Sequence, residues 1–144
     1  MSTKQLDKID IELIRKEILS LPDFESQLPI QGSHEAVGRL DIDESTLVEK
    51  LYDLPYINSI LDEFDMYRTR VLRLNKKSCY SLHSDPTPRI HIPIHTNEHS
   101  FFVIDNKVYY LDPGFVWWTD TTKPHTFVNA GYSERIHLVG CVNA

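Results

Sequence analysis

The chain reads as a mainly β (α+β) fold, a jelly-roll sandwich or barrel with N-terminal helices packed outside it. Residues from Met66 onward fall into short alternating runs, turn-forming clusters separate those runs, and the first 65 residues carry helical spacing instead. Many short strands at close intervals mark a sandwich or barrel. A length of 144 residues suits one domain, 1–144, with a mostly helical part over 1–65 and a β core over 66–144.

Ser2 and Gln5 have capping-box spacing ahead of Leu6, Ile9, Leu13, Ile14 and Ile18, which predicts a first helix closed by Leu21-Pro22. The polar stretch with Pro29, Gly32 and Gly38 predicts loop, with one short strand around Ala36–Leu40. Asp43 suits the cap of a second short helix through Leu47, Val48 and Leu51. Pro55 suits the first turn of a third, with Ile57, Ile60, Leu61 and Phe64 as its buried face. Strands are then expected over 70–74, 89–95, 101–104, 108–111, 115–118, 125–129 and 135–139. Asp105-Asn106-Lys107 predicts a tight hairpin turn, and Asp112-Pro113-Gly114 another turn.

Composition narrows the function classes. Net charge is −6, which disfavours nonspecific attraction to nucleic acid or to an anionic membrane. The opening MSTKQLDKIDIELIRK is too charged for a signal peptide, and no apolar run approaches the roughly 20 residues of a membrane helix. Cys79 and Cys141 have neither zinc-finger nor redox spacing. The expectation is a cytoplasmic protein with no nucleic-acid or membrane partner; oligomeric state is not legible.

The chemistry concentrates in three places. His83-Ser84-Asp85 puts an imidazole and a carboxylate at i and i+2, on one side of an extended strand. His125 adds a second imidazole on a later strand. Two histidines and a carboxylate are the facial triad of non-haem iron(II) oxygenases, which leaves other coordination positions open. The plainer alternatives are that His83 is a turn residue before Pro86 and Pro88, and that His125 is a hydrogen-bonded histidine after Pro124. Arg135 is the third element. If the turn after His125 centres on Ala130, His125 and Arg135 become cross-strand neighbours facing one interior. A buried guanidinium there needs an anion. A dicarboxylate with its far end on Arg135 and a keto-acid end on the metal meets that need. The alternative is a surface ion pair of Arg135 with Glu134 or another carboxylate.

The runs Arg73–Asp85 and Pro88–Asn97, followed by Trp117–Asn129 and Ser133–Val139, resemble the aspartyl/asparaginyl β-hydroxylase family in the correct order. The resemblance spans about half the chain, roughly residues 68–140. It implies a double-stranded β-helix (cupin-like) fold and a requirement for Fe(II), 2-oxoglutarate and O2. It also implies hydroxylation of an unactivated carbon in a small-molecule, peptide or protein substrate. By the same resemblance His83, Asp85 and His125 hold the metal, while Arg135, Arg89 and His91 contact the cosubstrate. The family's proline-glycine turn is replaced here by Asn75-Lys76-Lys77, and the link from Asp85 to Arg89 is short.

Trp117 and Asn129 are candidate pocket residues, with a core aromatic and a turn former as the alternatives. His95 and His99 have zinc-like i, i+4 spacing, but a turn is the expected state of His95–His99. A second function class stays open, a non-oxidative cupin-like metal or small-molecule binder, because His125-x-x-x-Asn129 echoes a cupin motif. That class would leave Arg135 without a job.

Overall fold

The N-terminal segment departs from its expected helix. In the computed structural model, which describes residues 2–144, the chain starts as a strand, β1 (Thr3–Lys8). Helix α1 (Ile11–Ile18) follows, capped by Asp10, whose Oδ1 accepts from the Leu13 N–H at 3.1 Å. Ser2 and Gln5 therefore form no capping box. Leu6 and Ile9 still pack against the core, but from a strand and its exit. The expected strand around Ala36–Leu40 is likewise absent, and β2 (Gln27–Pro29) forms earlier. Asp43 does cap, yet it starts only a single 3-10 turn, Glu44–Thr46.

Helix α2 (Pro55–Glu63) carries Pro55 in its first turn and buries Ile57, Ile60 and Leu61. It has no side-chain cap of its own. Glu17 of α1 supplies one from outside, accepting from the Tyr56 and Ile57 N–H groups at 2.8 Å each. That contact satisfies two orphan donors and sets a negative charge at the positive end of the helix. Among the described residues no helix is long and apolar enough to cross a membrane.

The remaining strands are β3 (Tyr67–Leu74), β4 (Ser78–Cys79), β5 (Arg89–His95), β6 (Ser100–Ile104), β7 (Lys107–Tyr109), β8 (Phe115–Thr119), β9 (His125–Asn129) and β10 (Arg135–Cys141). They build two antiparallel sheets. One has six strands in the order β1-β8-β5-β10-β3-β2, and the other four in the order β4-β9-β6-β7. This is the mainly β, cupin-like architecture expected. Asp105 and Asn106, with φ of 56° and 59°, make the two-residue turn between β6 and β7.

Side chains alternate across the six-stranded sheet. Ile90, Ile92 and Ile94 of β5, Val71 of β3 and Leu138 of β10 form its outer face. Ile14 of α1 and Ile57, Ile60 and Leu61 of α2 cover that face, which holds the larger apolar core. Arg15 ties α1 down by donating from Nε and Nη2 to the Ile94 carbonyl, at 3.0 and 2.8 Å. The opposite, inner face carries Arg70, Arg89, His91, Arg135 and His137. It meets a smaller apolar cluster of Leu74, Phe102, Ile104, Leu111 and Phe127.

β9 and β10 are not partners. They lie in different sheets, so the hairpin expected to pair His125 with Arg135 is replaced by a crossing between sheets. Asn129 holds the crossing. Fully buried, its Oδ1 accepts from Asn97, Ser100 and the Gly131 N–H, and its Nδ2 donates to the Leu74, Asn75 and Ser133 carbonyls. Every polar site of the amide is engaged, which leaves none for a ligand. Asn129→Ala strands several of these groups and should lower stability by about 2–4 kcal/mol. Urea unfolding followed by far-UV circular dichroism measures this, and a loss below about 1 kcal/mol contradicts it.

Candidate metal centre

His83 and His125 stand opposite one another in an isolated antiparallel bridge. Each backbone N–H donates to the other's carbonyl, at 3.1 and 2.9 Å. Residues so paired project their side chains to one side, and the two imidazole centroids are 4.5 Å apart. The Asp85 N–H donates to the Thr121 carbonyl at 2.8 Å, which keeps that carboxylate alongside.

The rings are oriented as well as placed. His83 Nδ1 lies 2.7 Å from the Ser81 carbonyl and His125 Nδ1 lies 2.9 Å from the Lys123 carbonyl. A carbonyl only accepts, so each Nδ1 bears a hydrogen and each Nε2 is the ring nitrogen left to meet a ligand. Those Nε2 atoms lie 3.6 and 3.5 Å from Oδ1 and Oδ2 of Asp85. Burial pushes the His125 imidazole below its ordinary pKa, although the Lys123 carbonyl and the Asp85 charge favour the proton. One ligand atom from each of the three residues falls within 4.8 Å of the others, the one such donor group among the described residues. Two imidazole Nε2 atoms and a carboxylate suit a divalent first-row metal such as iron(II), and backbone carbonyls behind the rings are the usual orienting partners. His95 and His99 form no such group.

The other sequence candidates divide. Arg135 is 1% exposed, and Nε, Nη1 and Nη2 have no hydrogen-bond partner. Phe127 and Tyr80 lie beside it, with ring centroids 5.1 and 5.8 Å from the guanidinium carbon. Burial lowers its pKa to about 10, so it stays charged at neutral pH. Glu134 is not its partner, because Glu134 pairs with Arg73 at 3.0 Å. The cavity at Arg135 is about 10 Å³, room for roughly one water, and is lined by Phe102, Phe127 and His137 among others. A larger cavity of about 230 Å³ is lined by Ser26, Gln27, Arg70, Leu72, Tyr80 and His83.

His91 stacks on Phe127 at 4.4 Å and shares a hydrogen bond with His137, Nδ1 to Nδ1, at 3.0 Å. One ring must donate and the other accept, so at least one is neutral. Burial, then the Arg135 charge, pushes both well below the ordinary histidine pKa. Arg89 is engaged: Nη2 reaches both Glu44 oxygens at 3.2 Å, and Nε lies 3.6 Å from Asp85 Oδ2. It therefore points to the Asp85 and Glu44 carboxylates, with its charge already matched. Trp117 packs against the Phe102 and Phe127 cluster and donates to the Asp112 carbonyl at 3.0 Å. Neither Trp117 nor Asn129 lines the cavity that holds His83.

Three residues of this region were missed by sequence reasoning. Arg70 shares strand parity with Leu72 and Leu74, a signal that was available. Tyr80 and Glu44 carry no pattern that would have found them.

A jelly-roll core with two histidines and a carboxylate gathered at one point offers a candidate mononuclear metal site of the non-haem kind. Residues 10–143 match the aspartyl/asparaginyl beta-hydroxylase family, and the chain belongs to it. The chain is 27% identical to the L-proline cis-4-hydroxylase of Rhizobium meliloti (strain 1021), over 60% of this chain and 34% of that protein. It thus spans about a third of the length of that relative. In fold it is similar to a 2OG-Fe(II) oxygenase family oxidoreductase from Burkholderia pseudomallei, with TM-score 0.73 and 15% identity over 97% of this chain and 83% of the other. It is also similar to a cupin 2 domain-containing protein from Halorhodospira halophila, with TM-score 0.53 and 12% identity over 99% and 76%.

Two outcomes follow. Asp85→Ala should weaken Fe(II) binding about 100-fold or more, measured by anaerobic calorimetry, and near wild-type affinity would remove Asp85 from the ligand set. The second concerns His91 and His137, whose folded pKa values lie below the unfolded value. Their contribution is complete above about pH 6.5 and is lost as pH falls toward the folded values, since the unfolded chain binds the extra protons. Metal-free protein should lose stability between pH 7 and 5 in urea titrations, and His91→Phe/His137→Leu should flatten that slope.

Proposed function

We propose that this chain is an iron(II)- and 2-oxoglutarate-dependent dioxygenase that hydroxylates an unactivated C–H bond of an amino acid, peptide or protein side chain. The observation that carries the reading is Arg135, a buried guanidinium with three unpaired nitrogens on the sheet opposite the one that carries His125, and against Phe127 of that same strand. An unpaired buried charge costs several kcal/mol unless a ligand completes it. When bound, the metal, 2-oxoglutarate and O2 supply the oxidising equivalent, giving succinate, CO2 and a hydroxylated substrate.

Each side chain then has a task. His83, Asp85 and His125 would hold the metal, and a set of three protein donors would leave it free to take the keto-acid end of the cosubstrate. Arg135 anchors the 5-carboxylate with its paired N–H groups. His91, Phe102 and Phe127 stack in a continuous layer, with centroids 4.4 and 4.6 Å apart, and exclude water between the two ends. The tiny cavity at Arg135 means that a side chain must give way on binding, and Tyr80, which lies beside Arg135 and also lines the larger cavity, is that side chain. The non-oxidative cupin-like alternative shares the fold but leaves the Arg135 charge without an anion.

Arg135→Met removes the charge and keeps most of the volume. The ligand-free variant should be more stable than wild type by about 1–3 kcal/mol, while 2-oxoglutarate no longer raises its melting temperature in the presence of metal. Wild type should show that rise, together with succinate formation in the presence of substrate. A variant that still responds to 2-oxoglutarate would mean that another residue holds the 5-carboxylate.

A further inference from the structure

Glu44 lies outside the donor group, yet it is built into the same network of charges. Asp43 fixes the 3-10 turn that carries it, accepting from the Ser45 N–H and hydroxyl at 3.0 and 2.7 Å. The Arg68 N–H donates to the Leu47 carbonyl at 2.7 Å, and its guanidinium donates to the Ala36 and Arg39 carbonyls at 3.0 and 2.9 Å. Both flanks of the turn are therefore fastened to β3. The Glu44 side chain is only 13% exposed. It accepts from Arg68 Nη1 on Oε2 at 3.0 Å and from Arg89 Nη2 on both oxygens at 3.2 Å. The Cys141 thiol donates to Oε2 at 3.4 Å.

Arg89 has a carboxylate on each side. Nη2 faces Glu44, and Nε lies 3.6 Å from Asp85 Oδ2, the oxygen that also lies 3.5 Å from His125 Nε2. Nη1 donates to the Thr87 hydroxyl at 2.8 Å. The guanidinium is 7% exposed, so solvent screens these contacts little. A cation shared between two anions is held less tightly by each. If the Glu44 charge is removed, Arg89 turns its full charge on Asp85, and a metal ion must compete with it for Oδ2. The local balance of charge points the same way. Arg68, Arg89 and Arg70, which is two residues along β3 from Arg68, set three guanidiniums against Glu44 and Asp85. Without Glu44 the ratio is three to one, a field that repels a dication.

We propose that Glu44 is a positioning residue of the metal centre, acting through Arg89 to leave the Asp85 carboxylate available to a divalent cation. It touches neither the ion nor a substrate. The seating of the 33–47 loop on the sheet thereby sets how tightly the metal is held. The inference rests on the metal site of the proposed function and adds to it a residue from the N-terminal half of the chain.

The test uses Co(II) as the probe, because its visible absorption reports the donor set without turnover. Wild type, Glu44→Gln, Glu44→Asp, Arg89→Met and Glu44→Gln/Arg89→Met are titrated by calorimetry and absorption, and a urea midpoint for each shows whether it is folded. Glu44→Gln keeps the shape of the side chain and removes its charge. It should weaken Co(II) binding tenfold or more and change the absorption of the bound ion. Glu44→Asp, which restores the charge on a shorter stem, should recover part of the affinity. The loss should persist in 1 M NaCl, where the Debye length is about 3 Å and a diffuse surface effect disappears. In the Arg89→Met background, Glu44→Gln should change the affinity less than threefold, because the connection to Asp85 is gone. A folded Glu44→Gln with wild-type Co(II) affinity overturns the proposal, as does an equal loss in both backgrounds. If Glu44→Gln does not fold, Glu44→Asp takes its place: its smaller loss should likewise vanish beside Arg89→Met, and no loss overturns the proposal. A wild-type protein that binds neither Co(II) nor Fe(II) overturns the metal centre itself, and this inference with it.

Discussion

A guanidinium can be buried only beside an anion or at a cost of several kcal/mol, and the inner face of the six-stranded sheet carries Arg70, Arg89 and Arg135 together with Arg68 at its edge. Much of the surrounding structure follows from this constraint. Glu44 is held between Arg68 and Arg89, and although burial opposes its ionisation, the charge of Arg89, the Cys141 thiol and Arg68 together keep its pKa below the ordinary value. Arg68 reaches Glu44 from a left-handed backbone conformation, φ 45°, at the point where the pairing of β3 with β10 slips by one residue. A bulge of this kind re-aims a side chain. Here it lets Arg68 donate also to the Ala36 and Arg39 carbonyls and fasten the 33–47 loop onto the sheet.

Such a face can be tolerated because stability is drawn from the other one. Ile90, Ile92 and Ile94 alternate with Arg89, His91 and Pro93 along β5, so one strand serves the apolar core with its even-numbered residues and the polar interior with its odd ones. The two helices cover only the apolar side. Separation of this kind allows the inner layer to hold neutral histidines and unpaired guanidiniums while the fold rests on aliphatic packing beneath α1 and α2.

Legibility in the sequence followed the same division. Strand β3, the strands from β5 to β10 and the helix at Pro55 were readable because alternation and turn chemistry are local, whereas the two-residue β4 is too short to show a pattern. His83, Asp85 and His125 were readable as candidates from residue type and i, i+2 spacing, although no strand forms at 83–85: His83 makes an isolated bridge to His125 and Asp85 lies just beyond it. The first strand was not, since Leu6, Ile9 and Leu13 fit helical spacing and only the pairing of β1 with β8 shows the extended state. The separation of β9 from β10 was not, because an Asn-Ala-Gly segment serves a hairpin and a sheet crossing equally well until Asn97 and Ser133 close around Asn129. The partners of Arg89 were hidden for a simpler reason. Glu44 lies 45 residues away on a turn with no motif.

That distant glutamate gives the N-terminal segment a physical connection to the chemistry. From Arg68 the charges alternate in sign through Glu44, Arg89 and Asp85 to the two imidazoles, with successive separations of 3.0, 3.2, 3.6 and about 3.5 Å. Asp85 sits at the junction, with Oδ2 shared between Arg89 Nε and His125 Nε2. Without Glu44, Arg89 would have Asp85 as its sole carboxylate partner and would compete with a metal for it. With Glu44 neutralising it from the far side, Arg89 can steady the carboxylate while leaving its charge available. The 33–47 loop, which carries no recognisable site residue, thereby bears on how Asp85 meets an ion.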